Sequence, residues 1–372
     1  MKISYLHYLF FSFVLFLVGG CGLIGNDSDP DWENLDFPVQ TGYQLHVSGG
    51  DLYVAAGHDG LYVLENANPR YQWEYLGHKV TQGERHVDSG VQAVDVYGDT
   101  ILVGYVSPPE QEDGAQIGIW RSENAGSSWR PSDEGIRTDE LNYSNAFFLA
   151  RSPHEPERMI TSSFGEIYYS DDSGASWQPE SSSDFKSGRS ILEQGAQWHP
   201  ANPDVIWTYG ESGYFQPFLA KSENAGEFWE RYSNVQVPRD NAFFDMAFDA
   251  SNPELIYVGA QGAVIKSESG GKEWANQGAV TVAFTDPRGN FFHALEAHTQ
   301  KAGVLFAAAG PHLYVSRDKG NTALRIETPS ELTYINDIIY DETTGALYVT
   351  GEYGVFRLKT SYIRKGPFLP PN

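Results

Sequence analysis

Residues 122–129 read SENAGSSW, and closely similar eight-residue phrases return four more times along the chain. The later copies are SDDSGASW at 170–177, SENAGEFW at 222–229, SESGGKEW at 267–274 and SRDKGNTA at 316–323. Their first residues are 48, 52, 45 and 49 positions apart. A period of this size is typical of a fold built from similar units that stack or form a ring.

Each position of the phrase has its own physical role. The third residue has a short polar side chain that can accept hydrogen bonds from backbone amides about two residues on, which holds a tight turn. The fifth is always glycine, which takes a positive φ at the least cost. The eighth is tryptophan in four copies, a large apolar anchor for the strand that follows. The third positions are Asn124, Asp172, Asn224, Ser269 and Asp318. The phrase therefore predicts a hairpin turn between two strands.

The phrase resembles the Asp-box, or bacterial neuraminidase repeat, whose ideal form is S-x-D-x-G-x-T-W. Four copies match well, and the fifth has Ala323 in place of the tryptophan. The resemblance implies that the box is structural and lies on the face of a β-propeller away from the ligand. We therefore assign no catalytic role to these turns.

A second repeat counts the units. Seven short apolar segments each follow a turn rich in Gly, Asn or Pro, and strand-like runs precede and follow them. They begin at Leu52, Ile101, Met159, Ile206, Ile256, Leu305 and Leu347. The pattern predicts an all-β, seven-bladed β-propeller of four-stranded blades. The last blade lacks a fourth strand near the C-terminus, so we expect the segment 32–37 to supply it and close the ring.

The first residues resemble an export signal. Residues 1–20 have Lys2 near the start, an apolar stretch and small residues before Cys21, the only cysteine. Residues 18–21 (VGGC) resemble a bacterial lipobox, which implies acylation of Cys21; the alternative is an ordinary cleaved signal. We expect a lipoprotein signal peptide at 1–20, an acylated tether at 21–31, the propeller at 32–360 and a C-terminal tail at 361–372.

Charge restricts the partners. The formal net charge is −24, which disfavours general binding to nucleic acid and repels anionic lipid. Membrane attachment then requires the acyl chain. We expect an exported bacterial lipoprotein, and Gly22 after the cysteine favours the outer membrane or the periplasmic face. No metal or cofactor signature stands out, so no cofactor is expected.

Five arginines recur with the period of the blades, 52, 52, 50 and 49 residues apart, each shortly before a first strand. They are Arg85, Arg137, Arg189, Arg239 and Arg288. Equivalent positions on a ring share one face, so these side chains form a candidate docking surface for an anionic partner. The alternative is that each one ties its crossover to a neighbouring carboxylate or carbonyl.

Two further groups of residues are candidates for binding or catalysis. Tyr214 and Phe215, with Phe218 nearby, form an aromatic patch for a sugar or a protein, or pack down as a lid. Asp245 and Asp337 hold equivalent places on first strands that line the central channel, and His293 holds the corresponding place in blade six. Such groups can perform acid–base chemistry, with His293 titrating near neutrality, or can cap backbone amides between blades. We favour the capping role.

The number of blades, the turns, the export signal and the arginines together resemble the photosystem II stability/assembly factor family, and the turns also resemble sortilin-type propellers. The resemblance implies a lipid-anchored, non-catalytic propeller that binds a protein partner through an arginine-bearing face. The alternatives are a carbohydrate-binding surface lipoprotein and a glycoside hydrolase of sialidase or xyloglucanase type. A sialidase is disfavoured because that family has six blades and an Arg-Ile-Pro motif, whereas residues 325–327 read RIE.

Overall fold

The computed structural model describes residues 32–66, 70–80, 90–106, 108, 117–136, 144–180, 191–212, 216–232, 235, 242–274, 282–286 and 289–359. Within these residues the chain forms 28 β-strands and no helix. The strands make seven sheets of four strands each. The predicted all-β, seven-bladed propeller is therefore confirmed.

The first three blades follow the chain in order. Blade one contains β2 (Gln44–Ser48), β3 (Asp51–Ala55), β4 (Leu61–Leu64) and β5 (Glu74–Gly77). Blade two contains β6 (Val91–Tyr97), β7 (Thr100–Tyr105), β8 (Ile119–Ser122) and β9 (Arg130–Pro131). Blade three contains β10 (Leu149–Arg151), β11 (Met159–Ser163), β12 (Glu166–Ser170) and β13 (Gln178–Pro179).

The remaining blades complete the ring. Blade four contains β14 (Ile191–Trp198), β15 (Ile206–Ser212), β16 (Gln216–Ser222) and β17 (Glu230–Arg231). Blade five contains β18 (Asp245–Phe248), β19 (Ile256–Ala260), β20 (Ala263–Ser267) and β21 (Val282–Thr285). Blade six contains β22 (Phe292–Ala297), β23 (Leu305–Ala309), β24 (His312–Ser316) and β25 (Leu324–Ile326). Blade seven contains β26 (Ile335–Asp341), β27 (Ala346–Gly351), β28 (Gly354–Leu358) and β1 (Trp32–Asn34).

The N-terminal strand closes the last blade, as predicted. β1 pairs antiparallel with β28, with Trp32 opposite Leu358 and Asn34 opposite Phe356. The indole Nε1 of Trp32 donates to the carbonyl of Glu327 at 2.7 Å, and Leu35 is fully buried. Because the first and last strands share one sheet, this pairing leaves no exposed edge on the inner strands of blade seven.

The buried side chains form seven hydrophobic clusters, one at each junction between neighbouring blades. The second strands are buried along nearly their whole length because a neighbouring blade covers each of their faces. This is why they read as short continuous apolar runs. By contrast, the outermost strands β9, β13 and β17 are short and exposed.

The antiparallel order gives the disc two different faces. The turns between first and second strands, and between third and fourth strands, lie on one side, which we call the turn face. The second and fourth strands end, and the first and third strands begin, on the other side, which we call the entry face. All five copies of the repeated phrase follow a third strand, so they lie on the turn face.

The five repeated turns share one hydrogen-bonding pattern. The buried serine at the first position accepts from the amide of the glycine at the fifth, at 2.8–3.0 Å in every copy. The third residue accepts from the amide of the seventh at 2.8–2.9 Å, as in Asn124 with Ser128 and Asp172 with Ser176. The predicted turn is confirmed, but its amide donor lies four residues on rather than two, because the turn contains two consecutive residues with positive φ.

The tryptophan of the phrase packs backwards rather than onto the strand that follows. The indole of Trp129 donates to Leu76 in blade one at 2.9 Å, and that of Trp177 donates to Ser132 in blade two at 2.7 Å. The turn glycine also approaches the preceding blade, since a Cβ on Gly174 would overlap Leu102. The phrase therefore joins each blade to the one before it.

Candidate functional site

The first strands of all seven blades surround a cavity of about 730 Å³ on the axis of the disc. Each first strand contacts the first strands of the two neighbouring blades, which completes a ring. The cavity lining comes mainly from the first strands and from the residues directly before them. Side chains from different blades therefore converge there, and it is the candidate site of the molecule.

Six equivalent residues line the cavity where it opens on the entry face, and we call them the mouth residues. In blades one, two, five, six and seven, each lies one position before the first-strand residue that pairs with Ala55, Gly104, Gly259, Ala308 or Thr350. They are Tyr43, Gln92, Phe147, Phe244, His293 and Asn336. In blades two, six and seven this position is a β-bulge, which brings an extra side chain to the cavity.

Asp245 and Asp337 lie one residue further along their strands, in equivalent positions. One carboxyl oxygen of Asp245 accepts the N–H of Leu295 in blade six at 2.6 Å, and the other accepts the hydroxyl of Tyr209 at 2.9 Å. Asp337 accepts the N–H of Leu45 in blade one at 2.8 Å. Both aspartates therefore cap backbone amides between blades, which is the role we favoured from the sequence.

A third carboxyl group lies between these two, in blade six. Glu296 accepts the N–H of Tyr340 in blade seven at 3.1 Å. Asp245, Glu296 and Asp337 thus bridge three consecutive junctions, from blade five round to blade one, and we call them the carboxyl arc. Glu296 was not predicted from the sequence, although it lies three residues after His293 on the same first strand.

Burial changes the acidity of all three groups. It raises the pKa of Asp245 to about 6, that of Asp337 to about 7 and that of Glu296 to about 8. Repulsion from Asp245 acts in the same direction on the other two carboxyls. The hydrogen bonds from backbone amides oppose the change but do not outweigh the loss of solvent. The carboxyl arc consequently carries less charge at neutral pH than three ordinary carboxylates.

The opposite side of the cavity is lined by different polar residues. We call Gln44, His46, Asp95 and Arg151 the neutral arc. Gln44 accepts the N–H of Val94 at 2.7 Å, in the same register as Asp245 and Asp337. The guanidinium of Arg151 donates from Nε and Nη2 to Asp95 at 2.8 and 2.6 Å. Both side chains of this ion pair are more than nine-tenths buried.

His46 completes the neutral arc. Its Nε2 lies 3.1 Å from the carbonyl oxygen of Val96 and 3.3 Å from its amide nitrogen. Burial lowers the pKa of His46 and outweighs the attraction of Asp95. The uncharged imidazole, the amide of Gln44 and the mutually neutralised ion pair leave this side of the cavity without net charge.

His293 corrects two sequence expectations. The position equivalent to Asp245 in blade six is Ala294, whereas His293 occupies the preceding bulge and matches Asn336. Its Nδ1 lies 2.9 Å from the carbonyl oxygen of Phe291, and its Nε2 contacts that of Ile335. Burial lowers the pKa of His293 against the effect of these carbonyls, which moves its titration away from neutrality.

Several predicted site residues lie outside the described residues. These are Cys21, the five arginines Arg85, Arg137, Arg189, Arg239 and Arg288, and the aromatic residues Tyr214 and Phe215. Phe218, which the sequence placed in the same patch, is buried in β16 within the cluster between blades three and four.

In the part of the chain that the structure describes, no group of three or more His, Cys, Asp or Glu side chains is placed to hold a metal ion. The same residues include no helix with the length and apolar character to cross a membrane.

The fold is shared with solved propellers of low sequence identity. YCF48 from Cyanidioschyzon merolae has a TM-score of 0.57 at 15% identity, over 88% of this chain and 98% of that one. YCF48 bound to D1 peptide gives 0.61 at 16%, over 88% and 97%. A GH74 xyloglucanase from Xanthomonas campestris gives 0.63 at 17%, over 92% of this chain but 55% of the enzyme.

Comparison with protein-family models gave no match. Comparison with curated proteins gave none either. The likeness to the solved structures is below 25% identity, so it establishes the seven-bladed architecture and leaves function to be argued from the residues.

Proposed function

We propose that this protein is an exported, lipid-anchored propeller without catalytic activity that binds a protein partner through its entry face. The strand topology is the observation that carries the proposal. Each fourth strand ends, and the next first strand begins, on the entry face, so the segments that join them start and finish on that face.

The recurring arginines belong to these crossovers. Arg85 follows β5 and precedes β6, and Arg239 follows β17 and precedes β18. The other three occupy the corresponding segments of blades three, four and six. In a chain with a net charge of −24, we propose that their five guanidinium groups surround the entry face and form a localised cationic surface. Such a surface suits the carboxylates of a protein partner, which guanidinium groups bind in bidentate fashion.

The comparison with YCF48 supports a protein partner. That propeller has a structure with D1 peptide bound, and this chain covers 97% of it. Because the identity is low, no contact residue is transferred from YCF48 to this chain. We therefore define the partner only by its chemistry, as an acidic segment of a protein at the membrane surface.

A glycoside hydrolase is the second candidate, favoured by the likeness to the GH74 xyloglucanase. The chain spans about half of that enzyme's length. In the cavity, both oxygens of Asp245 and both of Asp337 already accept backbone amides or a tyrosine hydroxyl. A general acid–base pair must instead face the scissile bond. These contacts favour binding over hydrolysis.

Crosslinking of the full-length protein in its membranes, followed by its purification, tests the proposal. We expect a defined membrane-protein partner that is lost from the double variant Arg189→Glu and Arg239→Glu. The matched control is Arg130→Glu with Arg325→Glu, because both side chains are exposed on fourth strands away from the crossovers. Equal recovery from both double variants would show that the arginine-bearing face is not the docking surface.

The anchor has its own test. Because the acidic chain is repelled by anionic lipid, we expect Cys21→Ser to move the protein from the membrane fraction to the soluble one. Unchanged membrane retention of this variant, measured by fractionation, contradicts acylation as the anchor.

A further inference from the structure

The mouth of the cavity combines flat apolar groups with amides. Tyr43, Phe147 and Phe244 contribute aromatic rings that are half-buried at the opening, and Gln92 and Asn336 contribute amides between them. Phe244 is held by a tilted contact with Phe291, with ring centroids 4.9 Å apart. The ring of Phe244 is therefore positioned before any ligand arrives.

The aromatic surface extends outward from the mouth over blades six and seven. The ring of Tyr334 stacks on His293 with centroids 4.9 Å apart and an interplanar angle of 14°. Tyr334 is 38% exposed, and Tyr353 in the next loop is 53% exposed. Exposed tyrosines beside a cavity offer an apolar face together with a hydroxyl.

The amide of Asn336 is also fixed in place. Its Nδ2 donates to the carbonyl of Gly42 in blade one at 2.7 Å, which sets the plane of the group and leaves its oxygen able to accept. The amide of Asn336 thus has a defined orientation next to the stacked pair Tyr334 and His293.

The charges around the cavity favour an uncharged ligand. The guanidinium of Arg151 is neutralised by Asp95 at 2.6 Å, so it is not available for an anion. The carboxyls of the carboxyl arc already accept backbone amides of the next blade. A ligand that reaches them finds polar groups engaged in hydrogen bonds rather than open ion-pair partners.

Shape adds a further restriction. The volume of about 730 Å³ lies within the range of about 300–1,000 Å³ that small-molecule sites usually have. A closed ring of first strands surrounds the cavity, so a ligand enters along the axis and not from the side. This geometry accepts a short molecule or the end of a longer chain.

We infer that the mouth of the cavity binds a neutral saccharide, either a short oligosaccharide or the end of a glycan chain. The rings of Phe147 and Phe244 pack against the C–H faces of the sugar, and the amides of Gln92 and Asn336 bind its hydroxyl groups. This site uses residues other than the recurring arginines, and its occupant belongs to a different chemical class from the protein partner.

Binding of the full-length protein in detergent to an array of neutral, anionic and amino-containing glycans tests the inference, with titration of the best ligand in solution. We expect retention of a neutral glycan, competed by the same saccharide in solution. Phe244→Ala and Asn336→Ala should each weaken binding about tenfold or more. Phe147→Ala provides a second aromatic variant if one of these fails to fold, as judged by its melting curve.

Phe228→Ala is the matched control, because Phe228 is 60% exposed and belongs to a repeated turn on the opposite face. Its affinity should equal that of the unchanged protein. Retention of anionic or amino glycans alone, equal losses in Phe228→Ala and Phe244→Ala, or no retention of any neutral glycan would each overturn the inference. Crosslinking through the crossover arginines is measured separately, so either proposal can fail without the other.

Discussion

In blades five and seven an aspartate accepts the backbone N–H of the next blade, whereas in blade one the same bond is accepted by the amide of Gln44. The three residues occupy one register position, and their acceptor distances are 2.6, 2.8 and 2.7 Å. The ring geometry therefore requires a hydrogen-bond acceptor at this position but accepts either an amide or a carboxyl. The choice decides how the junction responds to pH.

A second register position, two residues further along, repeats the comparison. Glu296 accepts the N–H of Tyr340, His46 contacts Val96, and Asp95 pairs with the side chain of Arg151. A carboxyl, an imidazole and an ion pair thus join successive blades at equivalent places. The carboxyl arc keeps protons to higher pH, whereas the neutral arc balances its charges internally.

The largest effect is expected in the neutral arc. Arg151→Met leaves the carboxylate of Asp95 buried without its partner, and we expect a loss of about 3–5 kcal/mol in the free energy of unfolding. Urea denaturation measures it. Adding Asp95→Asn should recover much of the loss because no unpaired charge then remains buried.

Arg158→Met is the control for this substitution. Arg158 pairs with the exposed carboxylates of Glu155 and Asp171, so its loss should cost no more than about 1 kcal/mol. Similar losses from Arg151→Met and Arg158→Met would mean that the buried pair contributes no more than a surface pair.

The next effect is expected in the carboxyl arc and depends on pH. Burial raises the pKa of Glu296 from 4.5 to about 8, so the folded state holds a proton that the unfolded state has released. The contribution of Glu296 to stability is therefore greatest below pH 4.5 and falls as the pH rises to about 8. Glu296→Gln keeps an acceptor for Tyr340 and removes this loss, which amounts to about 1.4 kcal/mol for each pH unit between the unfolded and folded pKa values.

Melting temperatures from pH 5 to pH 9 measure this prediction. The advantage of Glu296→Gln over the unchanged protein should grow across that range. Glu123→Gln is the control, because the hydrogen bond from Arg121 lowers the pKa of Glu123 and no gain at high pH is expected. An advantage of Glu296→Gln that stays constant with pH would contradict the assignment.

The smallest effect comes from transferring a carboxyl to the neutral arc. Gln44→Glu places the acidic group of the carboxyl arc at an equivalent position in blade one. We expect stability near that of the unchanged protein at pH 5 and a decrease at pH 8, by about 1.4 kcal/mol for each pH unit by which burial raises the new pKa. Thermal melts at the two pH values measure this decrease in stability. A decrease of the same size at both would show that Gln44 contributes through its amide and not through its lack of charge.

The repeated phrase allowed the turns to be predicted well, because a turn depends on residues close together in the chain. Ser122, Asn124 and Gly126 bond within five residues of one another. The prediction of which backbone amide donates to the third residue was wrong, because the sequence did not reveal that Ala125 also takes a positive φ. The serine at the first position recurs in all five copies, but its role as acceptor of the glycine amide was not predicted.

The cavity was predicted less completely. Asp245 and Asp337 were recognised as equivalent because each lies at a similar distance before its second strand. His293 was placed one position wrong because a β-bulge adds a residue to its strand, and counting along the sequence cannot locate a bulge. Gln44 was not predicted because its side chain is an amide and not a carboxyl group, although it accepts the equivalent hydrogen bond from the next blade.

The sequence by itself determined the number of blades, the turns at their edge and the strand that closes the ring. Each of these follows from local chemistry repeated at a regular period. Only the tertiary structure decided which side chains meet at the axis, because the bonds there join residues 50 to 292 positions apart. Their burial, and with it their acidity, depends on how tightly seven separate sheets pack around one cavity.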